Sequence, residues 1–163
     1  MNLAQLLEQS GLLGDENVKA KKVDDSMHHL QWGSANIVIG VTEHALVVIS
    51  PMFHELPAGK EAAFLHRLLQ ANSVLGGMAS FAIQPDGWVV LQSGRDLVGM
   101  DADEFAFVVR TVATAADEFD DLLYDEFYAP PKGEGEGEGE GEAAEEAGAE
   151  GSDGDAGEQA SDE

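Results

Sequence analysis

The chain has 163 residues, no cysteine, and 32 acidic side chains against 8 basic ones, for a formal net charge of −24 at pH 7. Without cysteine there are no disulfides, thiolate metal sites or cysteine nucleophiles, which fits a reducing cytoplasm. No stretch approaches the ~20 apolar residues of a membrane span. The acidic balance also disfavours nucleic acid and anionic membrane as partners, because no basic surface replaces their counterions. We therefore expect a cytoplasmic protein that binds neither.

Residues 129–163 differ in composition from the rest of the chain. They contain no Val, Ile, Leu, Met or aromatic residue, and they hold 13 acids against one base, Lys132. Such a segment cannot bury enough apolar surface to offset the entropy lost on ordering. We predict a disordered, Gly/Glu-rich acidic tail over 129–163 and a single folded domain over 1–128.

The first part of the domain predicts a short helix followed by three strands. Leucines at helical spacing indicate a helix over about residues 2–10, and the polar stretch DENVKAKKVDD after it is expected to be exposed. The segments SMHHLQW, NIVIGV and ALVVIS are typical of strands. Because the last two are apolar without clean alternation, we expect both of their faces to be covered or nearly so.

Two further helices are predicted, one on each side of a hairpin. The second helix follows Pro57 and carries a broad apolar stripe. Its residues are Phe64, Leu65, Leu68, Leu69 and Asn72. The last helix is predicted over about 102–124 from apolar residues at steps of three and four, with Asp101 and Glu104 in the positions of a capping box.

The hairpin SFAIQPDGWVVLQ has two apolar faces. Pro85-Asp86-Gly87 suits a three-residue loop, which pairs Gln84 with Trp88. That register places Phe81, Ile83, Val89 and Leu91 on one face, to be packed on helices. Trp88 and Val90 lie on the other face, which another part of the same chain such as the first helix, a second copy of the chain or a client peptide could cover. We take a set on this face as the candidate peptide or dimer interface: Trp88, Val90, Val38 and Val47.

The order of elements predicts an α+β fold. One helix, three strands, a second helix, two strands and a last helix form an antiparallel sheet of about five strands with three helices (α-βββ-α-ββ-α). Helices in such folds lie on one face of the sheet.

No motif for catalysis or cofactor binding is present. The chain lacks a P-loop, a dinucleotide fingerprint, a nucleophile elbow and HExxH, so we expect no enzyme, no cofactor and no catalytic residue. His28 and His29 are adjacent in a strand and point to opposite faces, so they cannot bind one metal together. We interpret the other histidines, His44, His54 and His66, as structural too, and expect no metal site.

Acidic residues crowd the end of the last helix. They form either a solvated face or a docking surface for a basic partner, and the residues of that candidate surface are Asp117, Asp120, Asp121, Asp125 and Glu126.

The segment from Leu65 carries a family pattern. It reads LHRLLQANSVLGGMASFAIQPDGWVVLQSGRDLVGMDADEFAFVVRTVATAADEFDDLL, with a Leu-x-x-Leu-Leu-x-x-Asn helix, a Gly-rich link, a Phe-x-Ile hairpin and a closing helix after DLVGMDADEF. Over about residues 2–128 the chain resembles the YbjN domain family and the related CesT/Tir-type chaperones of type III secretion. The resemblance implies a small, acidic, cytosolic protein that often forms a homodimer and binds a polypeptide segment.

We therefore predict a non-enzymatic, chaperone-like protein whose partner is an unfolded or extended protein segment, with an acidic domain favouring mildly basic, apolar-rich clients. The alternative is a regulatory or scaffold protein whose acidic surface and tail dock a basic protein partner.

Overall fold

A six-stranded antiparallel sheet and three α-helices make up the fold in the computed structural model, which describes residues 2–16 and 18–130. The helices are α1 (Leu3–Gln9), α2 (Glu61–Val74) and α3 (Ala102–Leu123). The strands are β1 (Val18–Lys22), β2 (Met27–Trp32), β3 (Ala35–Val41), β4 (Ala45–Phe53), β5 (Ser80–Ile83) and β6 (Val89–Asp96). They lie in the order β1-β2-β3-β4-β6-β5. The α+β class and the three helices are confirmed, and residues 131–163 of the tail predicted over 129–163 lie outside the described residues.

Strand β1 is the element that the sequence did not predict. It lies inside the polar stretch expected to be exposed, and it pairs antiparallel with β2, Val18 opposite Trp32 and Lys22 opposite His28. Of its five residues only Val18 is buried. Because the strand is held by backbone pairing and not by an apolar face, its side chains carry no strand signal.

The predicted hairpin is confirmed. The Gln84 N–H donates to the Trp88 carbonyl over 2.8 Å, and Gly87 adopts a φ of +94°, which a glycine tolerates at no steric cost. Phe81 lies opposite Leu91 in the register of β5 and β6, and both side chains are buried in the core. Ile83, which shares their face, lies at the rim of the core and is 49% exposed.

All three helices contribute to one core on one face of the sheet. Helix α3 packs on β3, β4 and β6, and α1 packs on α3 with its three leucines buried. The Glu104 N–H donates to the Asp101 side chain over 2.8 Å, so Asp101 is the N-cap of α3 as predicted. Because α1 lies against α3, the first helix is not a part of the chain that covers the opposite face of the sheet.

The chain continues past the predicted end of the last helix as one π-helical turn, Tyr124–Tyr128. This turn returns Phe127 to the core, where its ring packs edge-on against Phe64 at 5.2 Å between centroids. Tyr128 stacks on Phe53 at 5.0 Å, and its hydroxyl donates to the Glu55 carbonyl over 2.5 Å. The end of the domain is therefore tied to the segment between β4 and α2.

Candidate functional site

The face of the sheet opposite the helices, here called the open face, holds the half-buried apolar residues. Among the described residues, helical side chains join the core from the other face only. At the centre of the open face Val38 lies opposite Ile49 in the pairing of β3 with β4. Both are half-buried although no helix covers them. Partial burial of adjoining β-branched side chains on a bare sheet face is typical of a surface that a partner completes.

A trough crosses the open face beside that pair. Val47 lies opposite Gly40 on one neighbouring strand and opposite Gly94 on the other, so no side chain stands on either side of it. A β-carbon built on Gly40 would meet no atom within 4 Å, and neither glycine has a positive φ. The trough, defined as Gly40, Val47 and Gly94, therefore has room for a side chain or backbone of a bound segment.

The structure brings together only part of the predicted interface. Ile49 links Val38 and Val47. It lies opposite Val38 on the neighbouring strand and two residues after Val47 on β4. The sequence analysis missed Ile49, although its alternation with Val47 along β4 is a signal that could have found it. Val90 is 2% exposed, so the chain itself already covers it.

Trp88 stands apart at the end of the hairpin. It is half-buried and packs against His54, with 4.9 Å between the ring centroids. It directly precedes β6, six residues before Gly94 in the sequence, and is not part of the trough.

The two edges of the sheet differ in how they could receive a further strand. At the β5 edge the Asn72 side chain accepts from the Phe81 N–H over 2.6 Å and donates to the Phe81 carbonyl over 3.3 Å, which occupies both backbone groups. At the β1 edge, Val18 N–H bonds to Asp15 and not to β2, so the alternation of an antiparallel pair directs the backbone groups of Ala20 and Lys22 outward. The β1 edge is the one that an extended segment can join.

The charges that surround the trough do not match the expected preference for basic clients. The strands present Lys19 and Lys21 at the β1 edge of the open face, opposite Gln31 and His29. The acid on this face is Asp96 at the end of β6, opposite Ala45. The strands of this face therefore carry charges of both signs, and the preference for basic clients stays a prediction.

The predicted docking acids are partly engaged within the molecule. Asp117 accepts from the Ser34 hydroxyl over 2.5 Å, and Glu126 pairs with the Arg67 guanidinium at 3.2 Å. Burial raises the pKa of Asp120, and Asp121 and Asp117 raise it further. Asp121 and Asp125 are exposed and are accessible to a basic partner.

The adjacent histidines point to opposite faces, as predicted. His29 is exposed on the open face, whereas His28 is 7% exposed on the core face. Within residues 2–16 and 18–130, the His28 Nδ1 atom has no hydrogen-bond partner. Burial lowers the pKa of His28, Lys22 lowers it further, and Asp24 and Asp25 oppose the shift. Protonation of the His28 imidazole is therefore disfavoured in the folded protein.

This burial predicts a pH-dependent stability. Because the folded pKa of His28 lies below its ordinary value of 6.5, the unfolded chain binds the proton first, and stability falls as the pH drops below that value. Urea unfolding of the His28→Leu variant should show a flatter profile between pH 7 and 5. His29→Gln, one residue away, should keep the wild-type profile. An equal slope in His28→Leu and wild type would show that other groups carry the dependence.

Within the part of the chain that the structure describes, no cluster of three or more His, Asp or Glu residues could hold a metal ion. None of the described helices is both long enough and apolar enough to cross a membrane.

The chain matches the model of a known family. The model of the YbjN family, described as "Putative bacterial sensory transduction regulator", matches residues 2–125. The chain belongs to the YbjN family. This confirms the resemblance seen in the sequence, and no curated protein matches the chain.

Solved structures similar to this YbjN chain include two complexes described as belonging to type III secretion. A chain of the ExoU–SpcU heterodimeric complex of Pseudomonas aeruginosa is 18% identical with a TM-score of 0.57, over 76% of this chain and 98% of that one. A chain of the ExsC–ExsE complex is 16% identical with a TM-score of 0.50, over 76% and 97%. A chain of the Yersinia pestis complex of the secretion chaperone SycH with YscM2 is 19% identical with a TM-score of 0.48, over 70% and 96%. The first two share the fold of this chain.

Proposed function

We propose that this YbjN protein is a non-enzymatic, chaperone-like protein of the cytoplasm that holds an extended polypeptide segment on the open face of its sheet. The observation that carries the proposal is the glycine-flanked trough beside the half-buried pair of Val38 and Ile49. A segment in extended conformation presents alternate side chains to such a face.

The fold shared with chains of the ExoU–SpcU and ExsC–ExsE complexes supports the proposal, because both are complexes of one protein with another. The apolar trough favours a client that is recognised by its alternating apolar side chains. The charge of the client has a minor role in binding. Folded proteins lack such exposed segments, so we expect them not to bind.

The test fills the trough without disturbing the fold. Gly40→Val places a β-branched side chain in open space on a strand, which should leave the fold intact and raise its stability by up to ~1 kcal/mol. The probes are two unstructured peptides of equal composition, one with alternating apolar residues and one with that alternation scrambled. Calorimetry should show binding of the alternating peptide to wild type and a loss of at least about tenfold in Gly40→Val.

Matched variants separate the trough from general apolarity. Val47→Thr removes an apolar methyl inside the trough, and Val23→Thr makes the same change at an exposed site beyond β1. Binding should weaken in the first and stay unchanged in the second. Equal affinity of Gly40→Val and wild type for the alternating peptide would refute the proposal.

A regulatory or scaffold role is the second candidate, because the family is described as a regulator of sensory transduction and the chain carries a net charge of −24. In that role a basic protein docks on the exposed acids of α3 and the following turn. Its binding should weaken steeply with salt and with the double change Asp121→Asn and Asp125→Asn, while Gly40→Val has no effect.

A further inference from the structure

Two methionines border the trough, one at each end. Met27 lies opposite Gly40 in the pairing of β2 with β3, so it continues the row of residues that forms the trough. At the other end, Gly94 and Met78 line a shallow groove of about 100 Å³. The Ser93 hydroxyl donates to the Met78 carbonyl over 2.6 Å, which holds Met78 beside β6. A residue with a thioether side chain therefore adjoins each of the two glycines.

These two methionines are more exposed than the other methionines in the part of the chain that the structure describes. Met27 is 37% exposed and Met78 is 43% exposed, whereas Met100 is 6% exposed and Met52 packs against the core. Thioether side chains are flexible and polarisable, so they adapt to apolar side chains of different shapes at binding surfaces. The position of Met27 and Met78 therefore suits contact with an apolar segment in the trough.

Exposed thioethers are also the groups of this chain that a peroxide oxidises most readily, because the sequence has no cysteine thiol. Hydrogen peroxide oxidises a methionine sulfur by two electrons. A sulfur–oxygen bond forms, the oxygen–oxygen bond of the peroxide breaks, and water leaves. The product is a sulfoxide, which is polar where the thioether was apolar, and reduction restores the thioether.

We propose that Met27 and Met78 are oxidation sites that regulate the trough, and that their conversion to the sulfoxide weakens its hold on a bound segment. Each sulfoxide places a polar oxygen beside the apolar side chains of the segment, so the apolar contact at both ends of the trough is lost. The inference rests on the proposed function, since it describes the regulation of the same surface.

Calorimetry with the alternating peptide, before and after peroxide treatment of the full chain, tests the inference. The peptide contains no Met, Cys or Trp, and the peroxide is removed before the titration. Oxidised wild type should bind at least about fivefold more weakly than untreated wild type. Mass spectrometry of proteolytic fragments locates the sulfoxides, and circular dichroism verifies the fold.

Leucine variants separate these two sites from oxidation elsewhere in the chain. The double change Met27→Leu and Met78→Leu keeps apolar side chains of similar size without sulfur, so its affinity for the alternating peptide should be the same before and after treatment. Met52→Leu is the matched control, because Met52 packs against the core. Its affinity should fall after treatment as that of wild type does.

Bound peptide should protect both sites. Peroxide should oxidise Met27 and Met78 more slowly when the alternating peptide is present in excess, and the scrambled peptide should give no protection. Equal affinity of untreated and fully oxidised wild type would overturn the inference and leave the proposed function intact. An equal loss of affinity in wild type and the double variant, or equal oxidation rates with and without peptide, would overturn it too. Failure of untreated wild type to bind the alternating peptide would refute the proposed function, and this inference with it.

Discussion

A chain that ends at Leu123 is expected to lose about 3–5 kcal/mol of unfolding free energy, whereas a chain that ends at Pro130 should lose none. The shorter chain lacks Phe127, which is 8% exposed in the core, and Tyr128, which stacks on Phe53. It also loses the hydrogen bond from the Lys60 ammonium to the Phe127 carbonyl, 3.2 Å long. Burial of aromatic rings supplies most of the expected effect.

Urea denaturation of the two truncated chains and of wild type measures this loss of unfolding free energy. The chain that ends at Pro130 is the control, because residues 131–163 contain no Val, Ile, Leu, Met or aromatic side chain that could join the core. A chain that ends at Tyr128 tests the predicted domain boundary and should also match wild type. Equal stability of the chain that ends at Leu123 would show that the π-helical turn is dispensable.

Phe64→Ala is expected to cost a similar 3–5 kcal/mol. Phe64 has no exposed surface and makes edge-on contacts with the rings of Phe53, Phe127 and Tyr128, at 5.7, 5.2 and 5.9 Å between centroids. The substitution leaves a cavity at the junction of β4, α2 and the last turn, and it removes three aromatic pairs. The midpoint of urea unfolding should fall while the slope stays constant.

Phe107→Ala is the matched control for this cavity. Phe107 also lies on a helix, but it is 54% exposed, so its removal should change stability by less than about 0.5 kcal/mol. Because Phe64 and Phe127 are in contact, Phe64→Ala should cost less in the chain that ends at Leu123 than in wild type. A cost for Phe64→Ala no larger than that for Phe107→Ala would contradict the packing described here.

Local chemistry in the sequence determined several elements before any packing was known. Pro85, Asp86 and Gly87 specify their loop through backbone preferences, and the loop sets the register that turns Phe81 and Leu91 to the core. Helix α3 follows from apolar spacing and the Asp101 cap. The family resemblance rests on this same half of the chain. These features depend on neighbours in sequence, so one sequence suffices to predict them.

Only the tertiary structure decided what depends on distant residues. Strand β1 exists because β2 supplies its hydrogen bonds. The sequence pattern assigns Asn72 to an apolar stripe, whereas in the fold its side chain bonds to the β5 backbone. The trough arises because Gly40 and Gly94, 54 positions apart in sequence, lie on either side of Val47. No local preference encodes that juxtaposition, because it results from the register of three strands. The packing of the helices on the other face of the sheet selects that register.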